Sequence, residues 1–274
     1  PTLCRFENRV TKKDLRKLAD WLLTLYVKVH PDPRSWIIID MDATDDPTHG
    51  NQQLSMFHGY FDQHMYHPLV VFDGITGFPL SVILRPGNVH ASKGAVAILK
   101  RVIKKLKKAY PETSILLRAD AGFSIPELYR FCERERIYYL IGLITNNRLI
   151  NKATGLAQQV QRYFEQTESK QRHFTSFRYK ADSWNRSRRV IAKVERLEKG
   201  LNQRFLVTNM SLAPQTLYDH IYVFRGEVEN RIKELKHEIK ADRLSCHRFL
   251  ANQFRLLLHA AAYCLLWLLR QHLH

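Results

Sequence analysis

Tyr222 to Lys236 reads YVFRGEVENRIKELK and holds neither Gly nor Pro after Gly226, so it is predicted to be helical. At about 100° per residue, Tyr222, Arg225, Glu229 and Lys236 fall within roughly a 60° arc, while Glu227 and Glu234 point away from it. A Tyr, an Arg, a Glu and a Lys on one face make a poor hydrophobic core. They suit a surface that grips a phosphate backbone beside a metal-binding carboxylate. Read alone, the same stretch also fits a solvated helix laced by i,i+4 charge pairs.

Further carboxylates stand where strands end. Asp40 and Asp42 are two apart in the β-branched run Trp36–Asp42, so both side chains leave the same face of a strand. Asp120 follows the short apolar run Thr113–Arg118, in Ala119-Asp120-Ala121-Gly122. Carboxylates at the ends of neighbouring strands converge on one crevice. Glu229, carried by a helix packed on that sheet, completes a set of three. Hard divalent cations take oxygen ligands of this kind. Two such ions about 3.5–4 Å apart can serve the attacking and leaving oxygens of an in-line phosphoryl transfer. Taken singly, an Asp at a strand end is a turn or cap residue.

The elements that must position these groups can be read in order. Residues 11–29 form an amphipathic helix, with Thr11 and Asp14 as a capping box and Leu15, Leu18, Leu22 and Leu23 as its apolar stripe; Pro31 and Pro33 end it. The strand 36–42 and a polar loop, 43–53, follow. His67–Leu84 reads as a hairpin around Asp73–Gly77. Ser92 caps a basic helix to about residue 109, with Lys100, Arg101, Lys104, Lys105, Lys107 and Lys108 on its outer side. After the Thr113–Arg118 strand, Pro126 opens a helix to about Arg136, and Ile137–Leu143 is a strand. Residues 145–213 change character: a polar helix at 156–168, then strand-like runs Phe174–Ala181, Arg188–Leu197 and Gln203–Met210. After Pro214 the chain returns to helices, the last from Cys246 to Leu273. The order implies an α/β fold, a mixed sheet flanked by helices, with a β-rich insertion before the helix that carries the third carboxylate. The divisions are an N-terminal helical segment, 1–33; the first part of the core, 34–144; the insertion, 145–213; and C-terminal helices completing the core, 214–274.

Composition narrows the partner. The 274 residues carry 43 Lys+Arg against 26 Asp+Glu, a net charge of +17, which calls for a polyanion. The basic residues run along the whole chain and not along one amphipathic helix, which favours nucleic acid over a membrane surface. Four cysteines without a C-x-x-C pair argue against a zinc ribbon or a disulfide framework and fit a reducing cytosol. No signal peptide is evident. The apolar run Leu256–Leu269 is interrupted by His259 and is too short to span a bilayer, so it reads as a buried helix. The chain opens on Pro1, not Met, and reads as processed, truncated or partial. His64 and His67 lie three apart in a non-helical segment and read as polar loop residues, not as a zinc set. The lack of a Gly-rich phosphate loop argues against a nucleotide cofactor. Trp184, in Ala181-Asp-Ser-Trp-Asn-Arg-Ser-Arg-Arg189, has two readings: an aromatic that stacks on an unpaired base, or a Trp packed between insertion strands. Arg186, Arg188 and Arg189 likewise read as nucleic-acid contacts or as a solvated strand edge.

The order strand-Asp, strand-Asp, then Glu on a helix behind a β-rich insertion resembles the RNase H-like DDE transposases of bacterial insertion sequences. The spacing Tyr222-x2-Arg225-x3-Glu229-x6-Lys236 matches the Y-R-E-K signature of one large branch of them. Asp42-Ala43-Thr44 resembles the Asp-x-Thr of the first catalytic strand, and Arg118–Phe123 resembles the segment around the second aspartate. The likeness runs from about residue 30 onward. It implies that Asp42, Asp120 and Glu229 bind two Mg²⁺ or Mn²⁺ ions, with Asp40 as the alternative first carboxylate. It also implies that Tyr222, Arg225 and Lys236 contact phosphates of the transposon end. Trp184 would support a flipped base, with Arg188 beside it on the DNA. The implied reaction is endonucleolytic cleavage at the ends of the element and strand transfer into target DNA. The partners would be double-stranded DNA, as terminal inverted repeats and target, and a second copy in a synaptic homodimer; no membrane is implied. The place would be the bacterial cytoplasm, at the nucleoid. The sequence lacks the family's upstream DNA-recognition domain. A metal-dependent nuclease or resolvase of the same fold, and an inactive DNA-binding remnant, are the alternative functions.

Overall fold

The structure is a computed structural model that describes residues 2–273. It divides into two compact units, residues 1–113 with 226–274, and residues 114–225.

In the first unit, α1 (Thr2–Arg9) precedes α2 (Lys12–Val29). The predicted capping box is formed: Thr11 Oγ1 accepts from the Asp14 N–H (3.3 Å), and Asp14 Oδ2 accepts from the Thr11 N–H (3.0 Å). The stripe Leu15, Ala19, Leu22, Leu23 and Tyr26 is buried. Burial of each of the leucines contributes roughly 1.5–3 kcal/mol. Tyr26 donates its hydroxyl to Asp73 Oδ2 (2.8 Å), and Arg34 meets the same oxygen (2.5 Å), fastening α2 to the turn ahead.

Strand β1 (Trp36–Ala43) pairs antiparallel with β5 (Leu69–Asp73), which pairs antiparallel with β6 (Pro79–Ile83). The β5–β6 hairpin turns at the predicted place, with Gly77 at φ +71°, a conformation that glycine adopts without strain. Between β1 and β5 lies a small antiparallel sheet of β2 (Asp46–Pro47), β3 (Met56–His58) and β4 (Gln63–Tyr66), in the order β2-β4-β3. His64 therefore sits on a strand, and His67 is buried, and neither is the polar loop residue expected. Burial pushes the His67 imidazole down to about 4, so it stays neutral near pH 7. The basic helix α3 (Ala95–Ala109) starts two residues later than a Ser92 cap implies. Gly94, at φ +80°, precedes it, and Ser92 contributes its carbonyl, which accepts from the Ala95 N–H (3.1 Å).

In the second unit, β7 (Ser114–Ala119) runs parallel to β8 (Tyr138–Leu143), with α4 (Pro126–Arg134) as the crossover. Pro126 occupies the first turn of α4, as expected. α5 (Asn147–Thr167) is longer than the helix read at 156–168, because Asn146 caps it: the side chain accepts from the Leu149 N–H (3.1 Å). Strands β9 (Gln171–Tyr179), β10 (Arg188–Leu197) and β11 (Gly200–Thr208) form an antiparallel meander, and β11 pairs antiparallel with β8. The β-rich stretch therefore extends the β7–β8 pair into one five-stranded array, β7-β8-β11-β10-β9. α6 (Pro214–Leu217) ends this unit's regular elements.

The chain then returns to the first unit with α7 (Glu227–Lys233) and α8 (Phe249–Leu273). α7 packs on β1, and α8 packs on α1, α2 and β6. The stretch from Tyr218 to Glu238 is helical but is not the single α-helix expected. Its turns are π at Tyr218–Tyr222, 3₁₀ at Val223–Gly226, α in α7 and π again at Glu234–Glu238. Such over- and underwound turns rotate side chains away from the regular 100° step, and π turns recur at functional sites. α8 is also longer than the run read as too short to cross a bilayer. By length and composition it could cross one, and half of its apolar window is buried. The four cysteines are free thiols.

Candidate active site

Each unit holds part of the predicted constellation: Asp42, Glu229 and Lys236 in the first, and Asp120, Tyr222 and Arg225 in the second. In the first unit, β1 places Asp40 opposite Phe72 and Asp42 opposite Val70 of β5. Ile39 and Met41 are fully buried on the opposite face of the strand. Asp40 is also interior, at 1% exposure, while Asp42 near the strand's end reaches 9%. The Asp42 carboxylate is oriented by its own neighbour, Oδ1 accepting from the Ala43 N–H (2.8 Å). Glu229 is an exposed residue of α7, next to Val228 and near Ile232, the two side chains that α7 buries.

Lys236 reaches back 191 positions to the loop after Asp42, donating from Nζ to both the carbonyl (3.0 Å) and the Oδ1 (3.0 Å) of Asp45. Burial pushes the Asp45 carboxyl up, but the hydrogen bond and charge of Lys236 outweigh it and hold the group below its ordinary range. Next along the chain, Asp46 is buried, and neither carboxylate oxygen has a hydrogen-bond partner among the described residues. Burial, reinforced by the charge of Asp242, pushes it up to about 8 despite Lys236. An acid raised on folding favours the folded state fully below its unfolded pKa and loses that contribution as pH rises to the folded value. Asp46 therefore costs stability progressively from about pH 4 to pH 8, by roughly 5 kcal/mol in all at 1.36 kcal/mol per unit. Asp46→Asn should melt at a higher temperature than wild type at pH 8, with the gap narrowing as pH falls and closing near pH 4. Parallel melting profiles for the two proteins would remove the buried-acid assignment.

In the second unit, Asp120 follows β7 and caps a turn of 3₁₀ helix at Ala121–Phe123, its Oδ1 accepting from the Gly122 N–H (2.9 Å). Gly142 of β8 makes the neighbouring space. A Cβ there would lie 2.8 Å from the Ala121 nitrogen, 2.9 Å from the Tyr222 hydroxyl and 3.1 Å from the Asp120 carbonyl carbon. The missing side chain is what lets Tyr222 lie against the Asp120 turn. Burial raises the Tyr222 hydroxyl above its ordinary value; Arg225 pulls it back and Asp120 pushes it further up. Arg118, nearly fully buried, donates to the Ile221 carbonyl (2.7 Å), tying β7 to the segment that carries Tyr222. In the sequence Arg118 stands only as a neighbour of Asp120, with no task of its own. Its tether, 103 positions away, has no local signal.

Residues 1–274 match the model of the transposase DDE domain group 1 family. The chain belongs to that family. No curated protein matches it. Among solved structures, the cryo-EM structure of a piggyBac transposase synaptic complex with hairpin DNA is similar at 12% identity and a TM-score of 0.43. That match covers 85% of this chain and 48% of the other, so this DDE domain spans about half the length of that transposase. The likeness is too loose to transfer residue roles.

DDE transposases as a class depend on divalent metal ions. The chemistry of the donor set fits such ions: Asp42, Asp120 and Glu229 offer hard carboxylate oxygens, two of them oriented by backbone N–H groups. Within either unit taken alone, among the described residues, no three His, Cys, Asp or Glu side chains gather closely enough to hold an ion.

Two of the DNA-contact expectations for this DDE domain give way to packing roles. Trp184 is buried at 4% exposure, edge-on to Tyr129 (5.3 Å between ring centroids) and Tyr179 (5.4 Å). Arg188 is 2% exposed, lies over the Trp184 ring and forms a two-pronged bond to Glu133 (2.8 and 3.0 Å). Arg186 also reaches Glu133 (2.9 Å). Trp184 thus packs against α4 and the end of β9, and Arg188 is the charge that closes that cluster. An indole enclosed by two tyrosines and a guanidinium has no face to offer a base.

Proposed function

We propose that this DDE domain is the catalytic core of a bacterial insertion-sequence transposase of the Y-R-E-K branch, cleaving DNA at the ends of the element and joining the freed 3′-hydroxyl to target DNA. The observation that carries the reading is that Tyr222 and the Asp120 turn, about a hundred residues apart, meet at Gly142, with Arg225 hydrogen-bonded to the Tyr222 hydroxyl. Asp42, Asp120 and Glu229 would hold Mg²⁺ or Mn²⁺, with Asp42 favoured over the more deeply buried Asp40 because it stands nearer the strand's end. When bound, the ions supply charge stabilisation to the attacking and leaving oxygens of the phosphoryl transfer. Arg225 and the Tyr222 hydroxyl orient a phosphate beside Asp120. Lys236 exchanges Asp45 for a phosphate oxygen when DNA docks. Double-stranded DNA, as terminal inverted repeats and target, is the substrate. Joining two ends to one target calls for two copies of the site, hence a homodimer, acting at the nucleoid in the cytoplasm.

Supercoiled plasmid incubated with the protein should be nicked in Mg²⁺ or Mn²⁺ and left intact in EDTA, and a pre-cleaved 3′ end should appear joined to plasmid DNA. Nicking without joining would replace the transposase reading with a nuclease. DNA binding without metal-dependent cutting would reduce it to a DNA-binding remnant.

A further inference from the structure

The outward face of α3 carries more like charge than its fold uses. Six of its residues are Lys or Arg and none is acidic. Leu99, Val102, Ile103 and Leu106 are buried, and the helix packs on α2 and β6. Lys100, Lys104 and Lys108 are exposed. Four residues apart, they stand on one face at intervals of about 6 Å. Lys93, just ahead of the helix, is exposed as well.

The flanking basic residues have structural work. Arg101 donates to Asp20 Oδ1 (2.8 Å) and to the Arg16 carbonyl (3.3 Å), and Lys105 donates to Thr24 Oγ1 (3.1 Å), so both clamp α3 to α2. Lysines in the last turn also suit the negative end of the helix dipole. That account does not reach Lys100 and Lys104 in the helix interior, and Lys93 lies at the positive end, where a cation is disfavoured. Like charges at i,i+4 repel, and a helix that merely faces solvent relieves this with acids at those spacings; α3 has none.

We infer that Lys93, Lys100, Lys104 and Lys108 form a docking surface for the sugar–phosphate backbone of duplex DNA, independent of sequence and additional to the Y-R-E-K residues. This rests on the reading of the chain as a DNA-acting domain. Lysine ammonium groups bind phosphates as point charges and carry no base information. Anionic lipid is the other polyanion, but an interfacial helix inserts its apolar face, and that of α3 is already buried.

The test uses the full chain, a short duplex of arbitrary sequence, EDTA to prevent cleavage, and fluorescence anisotropy over a salt series. Glutamine matches lysine in helix propensity, so Lys100→Gln/Lys104→Gln/Lys108→Gln should melt as wild type does. Its plot of log affinity against log salt should be shallower by about 2.7, 0.9 for each phosphate contact removed. A control of equal charge change, Lys152→Gln/Lys180→Gln/Lys199→Gln, should move the slope much less. A wild-type slope retained in the α3 variant, or an equal change in the control, overturns the surface and leaves the DNA reading standing. A flat wild-type slope overturns both. Lost sedimentation with anionic vesicles and unchanged DNA affinity would hand the face to lipid and overturn the inference.

Discussion

Asp42→Asn, Asp120→Asn and Glu229→Gln should each lower metal-dependent DNA cleavage by about 10³-fold or more while leaving DNA affinity nearly unchanged or slightly improved. The size follows from losing several kcal/mol of charge stabilisation at the reacting phosphate, each 1.36 kcal/mol being tenfold in rate. Affinity holds because each variant removes a negative charge near a polyanion. The Asn variants also keep the oxygen that accepts from Ala43 or Gly122, so the local turns stay intact. Single-turnover cleavage of plasmid DNA, set beside binding in EDTA, separates the two effects. Asp40→Asn serves as the comparison. If it kills cleavage and Asp42→Asn does not, the first carboxylate is Asp40. Wild-type rates in Asp120→Asn or Glu229→Gln would remove those residues from the reaction.

Arg188→Ala should cost about 3–5 kcal/mol of unfolding free energy, the range for breaking a buried ion pair and leaving one charge behind. Glu133 is the charge left. Burial pushes its carboxyl up, yet hydrogen bonds from Arg188, Arg186 and Tyr139 outweigh that and hold it below its ordinary value. A depressed carboxylate contributes its stability above the unfolded pKa and loses it as pH falls, so the gap between variant and wild type should narrow in acid. Urea melts at neutral and acidic pH measure it. The same variant, kept cold and folded, should bind duplex DNA as wild type does. Unchanged stability with lost DNA affinity would return Arg188 to the DNA-contact role that its sequence context suggests.

The Thr11 cap of α2, the turn at Gly77, Pro126 opening α4 and the strands at 36–43, 114–119 and 138–143 were all legible, because each depends on residues only a few positions apart. The spacing of Tyr222, Arg225, Glu229 and Lys236, and the two strand-end aspartates, were enough to suggest the family that the match over residues 1–274 established. Chemistry of that kind is written in residue type and order.

What tertiary structure alone decided is where the long side chains spend their charge. Nothing near Trp184 or Arg188 in sequence announces Glu133, 55 residues upstream, so an arginine-rich aromatic segment read equally as a DNA surface and as a packed core. Lys236 finds Asp45 across 191 positions, Arg118 finds the Ile221 carbonyl, and the Asp46 carboxylate finds no hydrogen-bond partner among the described residues. The physical reason is one of range. Periodicity and capping are set by neighbours along the chain, whereas burial and ion pairing are set by whatever the fold brings within about 4 Å.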